Sequence, residues 1–135
     1  YQECLREHGI QVPFEYVVQG NYKLEGGYAG MEQLMELKEP PTAVFCANDY
    51  MAMGALRYLI EHNYKVPQDV ALVGYDDIMV AKMVTPSLTT VRQPVLELAR
   101  TAAQLLLRRI ADKDDANYVG QSVVMKSKLI VRSST

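Results

Sequence analysis

Residues 40–94 read PPTAVFCANDYMAMGALRYLIEHNYKVPQDVALVGYDDIMVAKMVTPSLTTVRQP, and this stretch decides the fold. Two short strand-like runs, Thr42–Ala47 and Val70–Tyr75, each stop abruptly at a polar pair, Asn48-Asp49 and Asp76-Asp77. Between them Asp49–His62 carries apolar residues at helical spacing. Strand, helix, strand in this order is a βαβ unit, with parallel strands and a right-handed crossover. Open α/β sheets bind ligands in the crevice beyond the carboxyl ends of their strands. Topology therefore puts both polar pairs on a binding rim.

The pattern continues on both sides. Tyr1–His8 reads as a helix stopped by Gly9, with Pro13 closing the connection. Tyr16–Gln19 is predicted as a short strand and Gly20-Asn21 as a turn. Gly26–Leu37 is predicted as a helix, with Met31, Leu34, Met35 and Lys38 at helical spacing and Pro40-Pro41 as its stop. Downstream of Asp77 comes an irregular or short helical stretch to Val84. Leu88–Arg92 is strand-like because Thr89, Thr90 and Val91 favour extended backbone. Pro94 opens the longest helix, predicted to reach Asp112, with Val95, Leu98, Ala99, Ala102, Ala103, Leu106 and Ile110 on one stripe. Glu97 near its start and Arg108-Arg109 near its end complement the helix dipole. A polar loop at Asp112–Asn117 and one or two strands within Val123–Val131 complete the chain. Strands alternating with helices of this length indicate an α/β fold: a doubly wound, mostly parallel sheet with helices on both faces.

At 135 residues, with 49% apolar and 22% charged side chains, the composition is that of a globular domain. A net charge of −2 offers no basic face for phosphates, which argues against nucleic-acid binding by this segment. Lys126 and Lys128, like Arg108-Arg109, read as solvated surface. No apolar run approaches the roughly 18 residues of a membrane span. Cys4 and Cys46 read as free thiols in a reducing compartment. His8 and His62 stand where helices end, which suits a dipole partner better than a metal ligand. No metal site or cofactor motif is legible. An enzyme is not indicated either, since nucleophile elbow, phosphate loop and dinucleotide fingerprint are all missing from the sequence.

Four residues follow directly on strand ends: Tyr22, Asn48, Asp76 and Gln93. Together they supply an aromatic face, a carboxylate and two amides, a set suited to a small polyhydroxylated ligand. Each also has a structural reading. Asn48 is a good helix N-cap for the helix at Asp49. One of Asp76 and Asp77 is expected to close a turn, Tyr22 suits a surface turn, and Gln93 can cap the helix at Pro94. The helix Asp49–His62 has a second peculiarity. Ala52, Ala55, Leu56 and Leu59 suffice to cover a sheet, yet Tyr50, Met53 and Ile60 leave the other side apolar too, which indicates a helix covered on more than one side.

PTAVFCANDYMAMGAL, VPQDVALVGYDD and TPSLTTVRQP, in this order and at these separations, resemble the effector-binding core of the lactose-repressor/galactose-repressor family of bacterial transcription regulators. The resemblance implies a periplasmic-binding-protein-like fold in three parts. Residues 1–87 would be the C-terminal effector-binding subdomain, 88–112 a crossover strand and helix packing in the other subdomain, and 113–135 the returning strands. It implies that Tyr22, Asn48, Asp76 and Gln93 contact the effector, a sugar or sugar-like molecule. It also implies a cytoplasmic homodimer formed through Tyr50, Met53, Arg57, Ala81 and Val84. Operator DNA would be bound only through an N-terminal domain outside this sequence. The helix-turn-helix, the first subdomain and a ligand-binding arginine upstream of Tyr1 are not in these residues. The alternative is a periplasmic sugar-binding protein of an uptake system, which uses the same fold.

Overall fold

The structure, a computed structural model, describes residues 1–112 and 119–135, so most of the expected loop at Asp112–Asn117 lies outside the described residues. The central βαβ unit forms as its sequence dictates. β1 (Ala43–Phe45) leads into α3 (Asp49–Glu61), preceded by α1 (Gln2–Glu7) and α2 (Leu24–Met35), and α3 returns to β2 (Ala71–Asp76). β3 (Thr89–Arg92), α4 (Val95–Ala111) and β4 (Lys128–Ile130) follow. The sheet runs β1-β2-β3-β4, parallel across the first two pairings and antiparallel across the last. Leu72 pairs in register with Val44, and Gly74 with Thr90, so these four residues share one face of the sheet.

That face meets α3. Ala52, Ala55, Leu56 and Leu59 of α3, with Leu72, Leu88 and Ala81, form a core in which no residue is more than 3% exposed. Burying a large aliphatic side chain contributes roughly 1.5–3 kcal/mol, so this cluster is the main stabilising element. Met31 of α2 joins it from the far side of α3. On the opposite face of the sheet, Phe45 stacks on Tyr1 at the start of α1 and meets Tyr75 edge-on.

α2 and α3 touch along their backbones. A Cβ at Gly54 would run into the Leu24 carbonyl, and one at Gly27 into that of Met51. Both obstacles are main chain and cannot swing aside. Gly54→Val is therefore expected to destabilise the fold by about 1–3 kcal/mol, the usual cost of overpacking, although valine suits a helix better than glycine. Urea unfolding checks this, and an unchanged midpoint would mean that the helices do not meet there.

Two expectations need correction. The strand at Tyr16–Gln19 does not form: Phe14–Tyr16 is a 3-10 turn, and Val17, though extended at φ −110°, has no strand beside it. A cleft of about 830 Å³ separates residues 10–20 from β1, lined by Ile10, Val18, Met31, Val44 and Phe45. A strand exists only through its neighbour's hydrogen bonds. The helix expected at Gly26–Leu37 starts and ends two residues earlier, and Lys38 lies beyond it. The one or two strands expected within Val123–Val131 are met by one, Lys128–Ile130.

Candidate functional site

The parallel strands end together, and their ends carry the predicted rim. Asn48 caps α3: its Oδ1 accepts the Met51 N–H at 2.9 Å. Its Nδ2 donates to the Tyr22 carbonyl at 3.0 Å, so the structural reading of Asn48 holds and also brings Tyr22 to it. One N–H and one lone pair of the amide remain for another partner. Tyr22 sits at φ +62° and is 69% exposed. Asp76 ends β2, and Gln93 follows β3, where its Nε2 donates to Asp76 Oδ1 at 2.7 Å. The four residues thus form two bonded pairs, Asn48 with Tyr22 and Asp76 with Gln93. Among the described residues, the second carboxylate oxygen of Asp76 carries no hydrogen bond.

Between the pairs lies a network that sequence reasoning missed. Asp49 is fully buried; its Oδ1 accepts the Thr90 hydroxyl at 2.6 Å and its Oδ2 the Ile78 N–H at 2.8 Å. Burial raises its pKa. The bonds from Thr90 and Ile78 act against that rise, and the charges of Asp76 and Asp77 add to it. In sequence Asp49 looks like an ordinary acidic residue at a helix start. Asp77 accepts from Arg132 Nη2 at one oxygen and Arg92 Nε at the other, both at 2.5 Å, while its side chain is 6% exposed. Burial alone would raise its pKa, but the two arginines overbalance this and hold the carboxyl below its ordinary value.

The two aspartates have opposite consequences for acid stability. A depressed pKa means that Asp77 stabilises the fold above the ordinary carboxyl value of about 3.9 and loses that contribution as pH falls through its depressed value. A raised pKa means that the contribution of Asp49 is full below about 3.9 and is lost as pH rises through its raised value. Asp77→Asn should therefore flatten the loss of stability below about pH 4. Asp49→Asn should leave that limb in place. Denaturant midpoints measured across this range check both, and an unchanged acid limb in Asp77→Asn would count against the ion pairs.

The cleft beside β1 is not this rim: Tyr22 lines it, but Asn48, Asp76 and Gln93 do not. Among the described residues, no three His, Cys, Asp or Glu side chains gather as a metal site, and no helix is long and apolar enough to cross a membrane. Cys4 is exposed and Cys46 buried, both as free thiols; burial pushes the Cys46 pKa up to about 12. His8 and His62 are the C-caps of α1 and α3, as expected.

Of the residues expected at a dimer interface, Tyr50 is 51% exposed and Met53 half-buried. Arg57 is exposed but pairs with Glu61 at 2.7 Å and lies over the Tyr28 ring. Ala81 is fully buried within the chain, because it closes the 3-10 turn Met79–Lys82 onto the core, and Val84 packs against the same core. The exposed apolar residues of that turn are instead Met79, Val80 and, just after it, Met83.

The whole chain, residues 1–135, matches the family described as periplasmic binding protein-like domain. The chain belongs to this family. Among periplasmic binding protein-like domains, its resemblance to lactose-repressor-type regulators is carried by several relatives. The transcriptional repressor PurR of Escherichia coli O1:K1 is 42% identical over 134 residues, which are 99% of this chain and 38% of PurR. The chain thus spans well under half the length of the curated relatives it matches. Those relatives are repressors, not enzymes. The solved complex of the transcriptional regulator CelR with cellobiose is 36% identical, with a TM-score of 0.90, covering 100% of this chain and 40% of CelR. A LacI-family sugar-binding transcriptional regulator from Escherichia coli, complexed with phosphate, is 31% identical with a TM-score of 0.83, covering 100% and 47%. This periplasmic binding protein-like chain corresponds to the C-terminal part of the effector-binding domain of such regulators.

Proposed function

We propose that this chain is the effector-sensing and dimerising part of a bacterial transcription regulator, which binds a sugar or sugar-like molecule between two subdomains. The observation that carries the ligand reading is the Asp76–Gln93 pair at the ends of β2 and β3, whose second carboxylate oxygen and amide oxygen have no partner among the described residues. A carboxylate flanked by amides accepts from and donates to hydroxyls, and the exposed Tyr22 ring offers a face for the apolar side of a sugar. The neighbour CelR was solved with cellobiose, which supports a carbohydrate. Repressor relatives favour a cytoplasmic regulator over a periplasmic uptake protein. DNA would be bound through a separate N-terminal domain.

Of the crossover reading of residues 88–112, α4 supports the helix half, whereas the strand half does not fit, since β3 pairs with β2 and β4 and Leu88 lies in this core. None of the residues of α4 is buried, and Val95, Leu106 and Ile110 are each about 60% exposed. An uncovered apolar strip of this length is a contact surface, and the other subdomain is its proposed cover. Calorimetry of the full-length protein against mono- and disaccharides, cellobiose among them, tests the ligand reading. Saturable binding of at least one is expected. Failure of every sugar, with a nucleobase or amino acid binding instead, would overturn the carbohydrate assignment.

A further inference from the structure

Two adjacent non-glycine residues, Asp76 and Asp77, hold φ values of +109° and +55°. L-residues rarely adopt such backbone, and it persists only where the surroundings over-determine it. Asp76 ends β2 in register with Arg92 of β3, and beyond it the turn is held at Asp77 and Ile78. The Asp77 N–H donates to Thr90 Oγ1 at 3.3 Å, and the Ile78 N–H to the buried Asp49 carboxylate. Asp77's own carboxylate is gripped from two strands, by Arg92 at the end of β3 and Arg132 beyond β4. Arg132 is itself fixed: Nη1 donates to the Leu88 carbonyl at 2.7 Å, and its backbone N–H donates to Thr89 Oγ1 at 2.8 Å. Its side chain is 15% exposed. Among the described residues, the Asp76 side chain, by contrast, is held by Gln93 alone. Its direction is inherited from the turn that Asp77 locks.

We infer that Arg132 and Arg92, acting through Asp77, are positioning residues for Asp76 and tune effector affinity without touching the effector. The affinity half of this rests on the proposal that Asp76 binds the ligand; the positioning half does not. Charge works the same way. Asp76 and Asp77 lie close enough to Asp49 to act on its charge, and Arg132 and Arg92 offset the negative charge at Asp77.

The test uses the full-length protein, with Arg132→Gln and, should that variant fold poorly, Arg92→Gln, whose arginine is 55% exposed. In ligand-free protein, the side-chain amide resonances of Gln93 report its bond to Asp76. They should move toward those of a solvated glutamine in either variant, while those of Asn48 stay in place. Gln93 resonances unchanged in both variants would overturn the positioning. With cellobiose as probe, Arg132→Gln should weaken binding about tenfold, and the conservative Arg132→Lys should recover part of the loss. Arg132→Gln added to Asp76→Gly should cost nothing further. Fully additive losses would show that Arg132 acts by another route and overturn the inference. Should cellobiose bind equally well with and without Asp76, the ligand assignment of Asp76 falls, and the Gln93 resonances alone decide the positioning.

Discussion

Asp76→Gly in the full-length regulator should weaken effector binding by one to two decades and leave the melting temperature within a few degrees of the parent. The first half follows from losing a charged acceptor. Hydrogen bonds to a charged group contribute roughly 1.5–3 kcal/mol, and about 1.4 kcal/mol is tenfold in affinity. The second half follows from the backbone. At φ +109° the aspartate sits where glycine is at ease, so the substitution relieves local strain while losing the bond from Gln93. The two effects oppose each other at about 1–3 kcal/mol apiece. Isothermal calorimetry and a thermal melt on one preparation separate them. Unchanged affinity would remove Asp76 from the site, whereas a collapsed melt would show that its role is structural.

Met53→Asp should split the proposed dimer. The surface in question carries Tyr50 and Met53 on the early turns of α3, beside the exposed Met79, Val80 and Met83. The bond between Asp49 and the Ile78 N–H ties the start of α3 to that 3-10 turn, so the two patches are neighbours. In a two-fold contact each copy of the new aspartate is buried, and each lies near the other's patch. An uncompensated buried charge costs about 3–5 kcal/mol, or two to three and a half decades in the dimerisation constant. Sedimentation at micromolar concentration should show monomer. A variant that remains dimeric after tenfold dilution would place the interface elsewhere. Ala81→Asp is an unsuitable probe because Ala81 is buried within the chain, and its effect would be on folding.

Sequence alone was enough for the elements whose signals are local. The two strands with polar ends, the helix between them and the long helix after Pro94 appear within a residue or two of expectation, because alternation, capping and proline placement are written in adjacent residues. Asn48 illustrates the limit at the site. Both of its readings were visible, and only the coordinates show that capping α3 and approaching Tyr22 occur together. The Asp77 clamp was illegible. Its second arginine is 55 residues away in the chain, and no local pattern marks such a pair. The missing strand at Tyr16–Gln19 failed for a related reason: composition can favour extended backbone, but pairing depends on what lies alongside.

Ser134 has a part to play in the life of the polypeptide. Its hydroxyl donates to the Leu72 carbonyl at 2.6 Å and accepts the Thr89 N–H at 2.8 Å, and its carbonyl accepts the Leu72 N–H. The side chain is fully buried between the first residues of β2 and β3. The stretch around it is thus a bolt drawn across the foot of the sheet. Withdrawing this segment from the sheet exposes three polar groups of central strands at once, the Leu72 carbonyl, the Leu72 N–H and the Thr89 N–H. During synthesis β2 and β3 wait for a residue made 62 and 45 positions after Leu72 and Thr89 before these groups are bonded.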